Sequence, residues 1–196
     1  NPELFTKETG STLWNNHTFG YLVPRLLFYD SHPEYFAQQC DGRRMPKETQ
    51  DHQVFLCTTH PDVIRIATER TLGWMRLQPD RRFFFIGAGD GPGWCQCTTC
   101  LAADPAPGIY SDRMIAFVNA IAREVKKAYP GNVLMTFAYV GSEYAPTAVR
   151  PDDNVIIFYA PYFGIGRSMV HSFTHPLNIE ALTQLQEWLA VAPRRM

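Results

Sequence analysis

The residues best suited to chemistry lie in one stretch of the chain, between positions 83 and 100. Asp90 sits in a turn with glycines at positions 87, 89, 91 and 93, and three cysteines follow it, Cys95, Cys97 and Cys100. Glycines let a backbone approach a ligand closely, and a carboxylate that follows a buried strand lies where α/β proteins build their sites. The stretch therefore predicts an acidic site beside a thiol cluster.

The cysteines leave three interpretations open. The chain has five of them, and an odd number does not fit a simple pairwise disulfide framework. Cys57 ends a predicted strand and could join Cys95, Cys97 and Cys100 as the fourth ligand of a closed, structural zinc site that holds the Asp90 loop. Disulfides within the cluster, or free buried thiols, are the alternatives. Cys40, outside the cluster, is predicted to be a buried free thiol.

Hydrophobic patterns predict the elements that position these residues. Apolar runs predict strands of a parallel sheet at 53–57, 83–86, 133–139 and 155–159. Periodicity and terminal residues predict helices at about 31–39, 61–77, 111–128 and 178–189. Ser111 and Asp112 are expected to cap the third helix, and four residues are expected to point inward from the last one: Ile179, Leu182, Leu185 and Leu189. Strands that alternate with helices indicate the α/β class.

Composition limits the kind of protein and its partners. A chain of 196 residues with 45% hydrophobic and 13% aromatic residues is typical of a single globular domain, expected to span 1–196. A net charge of −1 and a pI near 6.6 make nucleic acid an unlikely partner. No apolar run reaches the roughly 18 residues that span a bilayer, and the first residues lack the pattern of a signal peptide.

Several short motifs occur together in an order that is typical of one bacterial family. They are His17-Thr18-Phe19, Leu22-Val23-Pro24, the run from His32 to Ala37, Asp41-Gly42-Arg43-Arg44, Leu56-Cys57 before His60-Pro61-Asp62-Val63, Asp90-Gly91 before the three cysteines, and Ser111-Asp112-Arg113. Over about residues 16 to 175, the chain resembles the catalytic-domain core of glycoside hydrolase family 163. That family includes retaining endo-β-N-acetylglucosaminidases, which cut complex N-glycans and are often exported.

This resemblance implies a fold and an activity. The fold would be a (β/α)8 TIM-like barrel, of which this chain, with about four strands, is a part. The substrate would be a glycan or glycoprotein that contains N-acetylglucosamine. If the mechanism is that of other hexosaminidases, the acetamide oxygen of the substrate is the nucleophile, one carboxylate orients the acetamide, and a protonated second one donates to the leaving sugar. No cofactor takes part in such chemistry.

The resemblance and the predicted strands together suggest the site residues. Asp90 is the expected orienting carboxylate, and Glu143, after the next strand, is the expected proton donor. Five residues are expected to bind substrate: His17, Trp94, Tyr139, Tyr159 and Tyr162. Asp90 could instead only brace the glycine turn. Because Gly91 follows Asp90 where such enzymes commonly have an acid, a non-catalytic carbohydrate-binding domain and a metal-stabilised interaction domain are the alternatives.

Overall fold

The computed structural model of the chain describes residues 16–162 and 170–192, and a parallel sheet lies at its centre. Within these ranges the sheet has three strands in chain order: β1 (Phe83–Phe85), β2 (Val133–Ala138) and β3 (Val155–Tyr159). Phe84 lies opposite Leu134, and Met135 lies opposite Ile156. Three of the four predicted strands are therefore present, and the first two end one residue earlier than predicted.

Helices account for most of the remaining regular structure. They are α1 (Phe19–Leu22), α2 (Arg25–Phe28), α3 (Pro61–Leu77), α4 (Thr98–Ala102), α5 (Ser111–Ala128) and α6 (Ile179–Val191). Short 3-10 turns lie at Pro33–Tyr35, Asp51–Gln53 and Pro176–Asn178. The predicted bounds of α3 and α5 are confirmed. Each of these helices has a continuous apolar face, which is the pattern that predicted it. None of the helices in the described ranges is long and apolar enough to cross a membrane.

The predicted strand at 53–57 is wrong. Gln53 belongs to a 3-10 turn, and residues 54–57 are buried but pair antiparallel with residues 35–37 rather than with the sheet. Ala37 N donates to Phe55 O and Cys57 N donates to Tyr35 O, at 3.0 and 2.9 Å. The same pairing limits the predicted helix at 31–39 to a single 3-10 turn, since the backbone becomes extended at Phe36 to form it.

The two faces of the sheet have different surroundings. One face packs against α5, which in turn packs against α3, and it buries Phe84, Leu134 and Ile157 completely or almost so. The other face carries Phe85, Phe137 and Phe158, whose rings contact one another. Phe158 is still 39% exposed. The described residues thus form an open sheet that fits part of an α/β fold, and the closed barrel is not seen in them.

Polar side chains of α5, rather than a helix, support the connection from β2 to β3. Asp112 accepts the backbone N–H groups of residues 147, 148 and 149 at 2.7–2.9 Å. Asn119 donates to Arg150 O and accepts from Asp152 N. The predicted capping role of Ser111 and Asp112 is therefore wrong: Asp112 holds a neighbouring loop, and the helix carries no side-chain cap bond.

The inward face of α6 also differs from the prediction. Ile179 and Leu189 are 54% and 44% exposed, whereas Ala181, Gln184 and Trp188 are buried. Hydrogen bonds select this face: Trp188 Nε1 donates to Glu143 O at 2.8 Å, and Tyr159 Oη donates to Ala181 O at 2.7 Å. Since these two contacts fix the rotation of the helix, part of its apolar surface faces outward.

Candidate functional site

Asp90 lies in the loop after β1, at the carboxyl end of the sheet. Its backbone N–H donates to His52 O at 2.8 Å, and its side chain is exposed. Gly89, just before it, has no room for a Cβ, because one would lie 2.7 Å from backbone atoms of Gln53. Gly91, just after it, has a φ of +113°, which favours glycine. The glycines therefore let this loop pack tightly and then turn to present the carboxylate.

Tyr139 joins Asp90 to the end of the neighbouring strand. The Tyr139 hydroxyl donates to Asp90 Oδ1 at 3.0 Å. Burial, the hydrogen bond to Asp90 and the nearby charges of Asp90, Tyr162 and Glu143 together raise the pKa of Tyr139 to about 12, with burial the largest cause. Tyr139 therefore stays protonated and donating at neutral pH. The charge of Glu143, four residues further along the chain, also acts on this phenol.

His17 and Tyr162 lie around the same tyrosine. His17 Nδ1 donates to Ala88 O at 2.7 Å, which fixes the ring orientation. Its ring centroid is 5.1 Å from that of Phe137 and 6.0 Å from that of Tyr139. Tyr162, which is 56% exposed, has its ring centroid 6.4 Å from Tyr139. Asp90, Tyr139, His17 and Tyr162 are therefore neighbours at one edge of the sheet, and the charge of Glu143 reaches this group.

Two of the predicted substrate-binding residues are engaged in packing contacts. Trp94 is only 4% exposed, and its ring packs on Phe55 and Tyr110, so it offers no open face to a sugar. Tyr159 donates its hydroxyl to Ala181 O and Gln184 Oε1, at 2.7 and 3.1 Å. These two bonds direct its side chain toward α6. Because alternate residues of a strand face opposite sides, Tyr159 faces away from the side of the sheet that carries Phe158. Both side chains serve packing rather than an open site.

The four predicted metal ligands come together. The Sγ atoms of Cys57, Cys95, Cys97 and Cys100 all lie within 4.8 Å of one another. Cys57 Sγ is 3.7 Å from Cys97 Sγ and 3.8 Å from Cys100 Sγ. Zinc–sulfur bonds of ~2.3 Å in a tetrahedron separate the sulfurs by about 3.8 Å. These two distances have the value that a metal tetrahedron requires, and the cluster as a whole is compact enough to hold one ion.

All five cysteines are free, so no disulfide competes for these sulfurs. Cys57, Cys95 and Cys100 are buried and Cys97 is partly exposed. Cys40 is free as predicted, but it is exposed, which corrects the expectation that it is buried. Its position just before the Asp41-Gly42 turn explains this, since the turn leaves the neighbouring side chains in solvent.

The fold supplies hydrogen bonds to two of the sulfurs. Gln38 N donates to Cys95 Sγ at 3.3 Å, and the Thr59 hydroxyl lies 3.2 Å from Cys100 Sγ, to which it can donate. Such bonds stabilise negative charge on sulfur and orient metal ligands. Cys57 reaches the cluster from residues 54–57, Cys95 and Cys97 follow the glycine loop, and Cys100 lies in α4. The four ligands therefore tie separate parts of the chain together.

The family comparison was positive over almost the whole chain. A family model described as a domain of unknown function, DUF4838, matches residues 3–195. The chain belongs to the DUF4838 family. No curated protein and no solved structure matches it. The description of this family assigns it no activity. The match does not place the DUF4838 chain in glycoside hydrolase family 163.

A buried ion pair lies next to the thiols, and the sequence patterns did not predict it. In the DUF4838 chain, Arg113 Nε lies 3.1 Å from Asp104 Oδ1, and the two side chains are 1% and 3% exposed. Arg113 Nη1 also donates to Cys95 O at 2.7 Å. Burial raises the pKa of Asp104 to about 6, although the charge of Arg113 opposes this. Arg113 occurs in one of the family motifs, but neither motif nor periodicity indicates that it is buried.

Neighbouring thiols also change one another's acidity in the DUF4838 chain. Hydrogen bonds from the Cys57 and Cys95 thiols lower the pKa of Cys100, and the charge of Arg113 acts in the same direction. The same contact with Cys100 raises the pKa of Cys57, and it raises that of Cys95 to about 11. Without a metal the cluster therefore holds protons that a bound cation would displace.

Proposed function

We propose that this DUF4838 chain is a glycoside hydrolase that acts on glycans containing N-acetylglucosamine. The hydrogen bond between Tyr139 and Asp90, with Glu143 near the same phenol, is the observation that carries the proposal. A pair of carboxylates at the carboxyl end of a parallel sheet is the arrangement that glycoside hydrolysis needs. The motifs shared with glycoside hydrolase family 163 support the choice of substrate, and by the same resemblance the enzyme would be bacterial and exported.

The proposed reaction follows from the chemistry of an N-acetyl sugar. The acetamide oxygen attacks C1, the bond from C1 to the leaving oxygen breaks, and Glu143 gives that oxygen its proton. Asp90 accepts the acetamide N–H and so orients the attacking group. Water then adds to C1 and opens the cyclic intermediate, while Glu143 takes back a proton, so that the configuration at C1 is retained. Tyr139 holds Asp90 in place, and His17 and Tyr162 line the sugar site.

The test is hydrolysis of a glycoprotein that carries complex N-glycans, with both products identified by mass spectrometry. We expect release of the glycan with a single N-acetylglucosamine left on the protein. Binding of the same glycan, measured by calorimetry, is followed in parallel. Binding without release by folded protein would contradict the hydrolase proposal and favour a carbohydrate-binding domain. Neither binding nor release would favour an interaction domain.

We also propose that the four-cysteine cluster holds a structural zinc ion. Four thiolates at tetrahedral spacing, with none left as an open position, suit zinc in a structural role. The buried positive charge of Arg113 beside Cys95 would offset part of the negative charge of such a centre. Zinc would take no part in the hydrolysis. It would hold residues 54–57, the glycine loop and α4 in one arrangement.

A further inference from the structure

The loop after β1 and the turn after β2 meet at two hydrogen bonds. At one, the Tyr139 hydroxyl donates to Asp90. At the other, Trp94 Nε1 donates to Val140 O at 2.8 Å. The two bonds therefore join adjacent residues of the turn to opposite ends of a five-residue segment, 90–94. Gly89, Trp94, Tyr139 and Ser142 also line one small cavity between the two segments.

The indole of Trp94 is held tightly on its other sides. Its ring centroid is 5.4 Å from that of Phe55 and 5.1 Å from that of Tyr110. The guanidinium carbon of Arg113 lies 5.5 Å from it. The next residue in the chain is Cys95, whose sulfur belongs to the thiol cluster. The position of Trp94 is thus set largely by the cluster and by the residues packed around it.

The turn after β2 has no spare space against this indole. Gly141 has a φ of +82°, and a Cβ there would lie 2.8 Å from Trp94 Nε1 and 2.6 Å from a ring carbon of Tyr110. Tyr110 N also donates to Gly141 O at 2.7 Å. Because the turn packs against Trp94 without a gap, a displacement of the indole should displace residues 139–141 as well.

We propose that Trp94 is a positioning residue that couples the four-cysteine centre to the Asp90–Tyr139 pair. The indole N–H fixes Val140 and with it the direction of the Tyr139 phenol, while the bound centre fixes Cys95 and hence Trp94. The importance of this coupling for catalysis rests on the proposed function. The coupling itself is measurable without any hydrolysis.

The experiment is a thermodynamic cycle on the full chain, with Trp94→Phe and metal removal as its two changes. Trp94→Phe removes the N–H donor and keeps an aromatic ring. Amide hydrogen exchange of the peptide covering residues 139–143 is measured by mass spectrometry, with the peptides of α5 as reference. Zinc content is measured on each sample, and kcat and KM are measured wherever hydrolysis is found.

We expect Trp94→Phe to retain zinc and to speed exchange at 139–143 by about 5-fold, the effect of losing one ordinary hydrogen bond. Metal removal should speed exchange there in the native chain and have little further effect in the variant, since both act through one contact. Trp188→Phe is the matched control. It removes an indole donor to Glu143 O in the same segment, but this donor belongs to α6 and not to the loop that carries the cysteines, so metal removal should keep its full effect there.

Equal effects of metal removal in the native chain and in Trp94→Phe would overturn the proposal. If the variant does not fold, the indole N–H of Trp94 is followed by NMR in the native chain, and unchanged protection after metal removal would overturn it equally. Coupling without glycan hydrolysis would contradict the proposed function but support the coupling through Trp94. Hydrolysis without coupling would support the proposed function and contradict the coupling. Where hydrolysis occurs, we expect Trp94→Phe to lower kcat with little change in KM.

Discussion

At the scale of single residues, the buried polar groups do more to define this structure than the exposed ones. Asp112 is 3% exposed and accepts four hydrogen bonds, three from the backbone of residues 147–149 and one from the Thr147 hydroxyl. Hydrogen bonds from these donors replace the water that the carboxylate loses on burial, and bonds to a charged group are among the stronger ones. It holds the long connection between β2 and β3, and with it the base of the turn that carries Glu143.

Asp112→Asn should therefore lower the free energy of unfolding by roughly 2–3 kcal/mol, because one amide oxygen replaces two carboxylate oxygens and the NH2 group faces backbone donors. Urea unfolding measures the change. Asp153→Asn is the control. It weakens the exposed ion pair with Lys126, and we expect a loss of less than about 0.5 kcal/mol. Equal losses in the two variants would show that Asp112 is not a special support.

At the scale of the elements, the patterns that predicted well were those that depend on local sequence alone. The apolar periodicity of α3 and α5 and the runs of β2 and β3 describe buried faces that any fold would use. The strand at 53–57 failed because its partner was decided by tertiary pairing with residues 35–37. The prediction of the buried face of α6 was wrong for a similar reason, because hydrogen bonds of Trp188 and Tyr159 fix the rotation of this helix.

The candidate site shows the same division. The clustering of the four cysteines was predicted because thiols are rare and their spacing is informative, whereas the role of Asp90, chosen because it follows a buried strand, stays a prediction. The burial of Trp94 could not be predicted from the sequence, since an aromatic residue beside a glycine loop can equally well pack in the core or stack on a sugar ring. The Arg113–Asp104 pair left no signal, because charged residues are ordinarily exposed.

Glycines give a direct test of how tightly the site loop is packed. A Cβ at Gly89 would lie 2.7 Å from backbone atoms of Gln53 and Val54, so Gly89→Ala should destabilise the protein by roughly 1–3 kcal/mol. Gly73→Ala is the control within α3, where a Cβ meets nothing within 4 Å, and it should stabilise by about 1 kcal/mol. Thermal unfolding measures both. A neutral Gly89→Ala would mean that the loop packs more loosely than described.

At the scale of the whole molecule, the thiol cluster joins parts of the chain that the sheet does not. Reduced protein should bind one zinc ion per chain and release protons as it does so. Acid should weaken binding, because Cys57 and Cys95 have raised pKa values and must release their protons to bind zinc, and this release becomes less favourable as the pH falls. Removal of the ion should lower the thermal midpoint. Zinc analysis and calorimetry at two pH values measure these effects.

Cysteine variants separate the cluster from the remaining thiol. Cys97→Ser should weaken zinc binding by more than about 100-fold, since the loss of outer-shell contacts alone costs 10- to 100-fold. Cys40→Ser is the matched control and should bind as the native chain does, because Cys40 is exposed and lies outside the cluster. Equal binding by the two variants, or none by the reduced native chain, would exclude the zinc centre.

The measurement that tests the central claim most directly is the rate of glycan release by Asp90→Asn. Asparagine keeps an oxygen for the Tyr139 hydroxyl but loses the charge that would orient the acetamide, so the fold should persist while kcat falls by roughly 10²–10³-fold. Asp80→Asn, an exposed position after α3, serves as the control and should keep the native rate. A native rate in Asp90→Asn would contradict the assignment of the active site to Asp90.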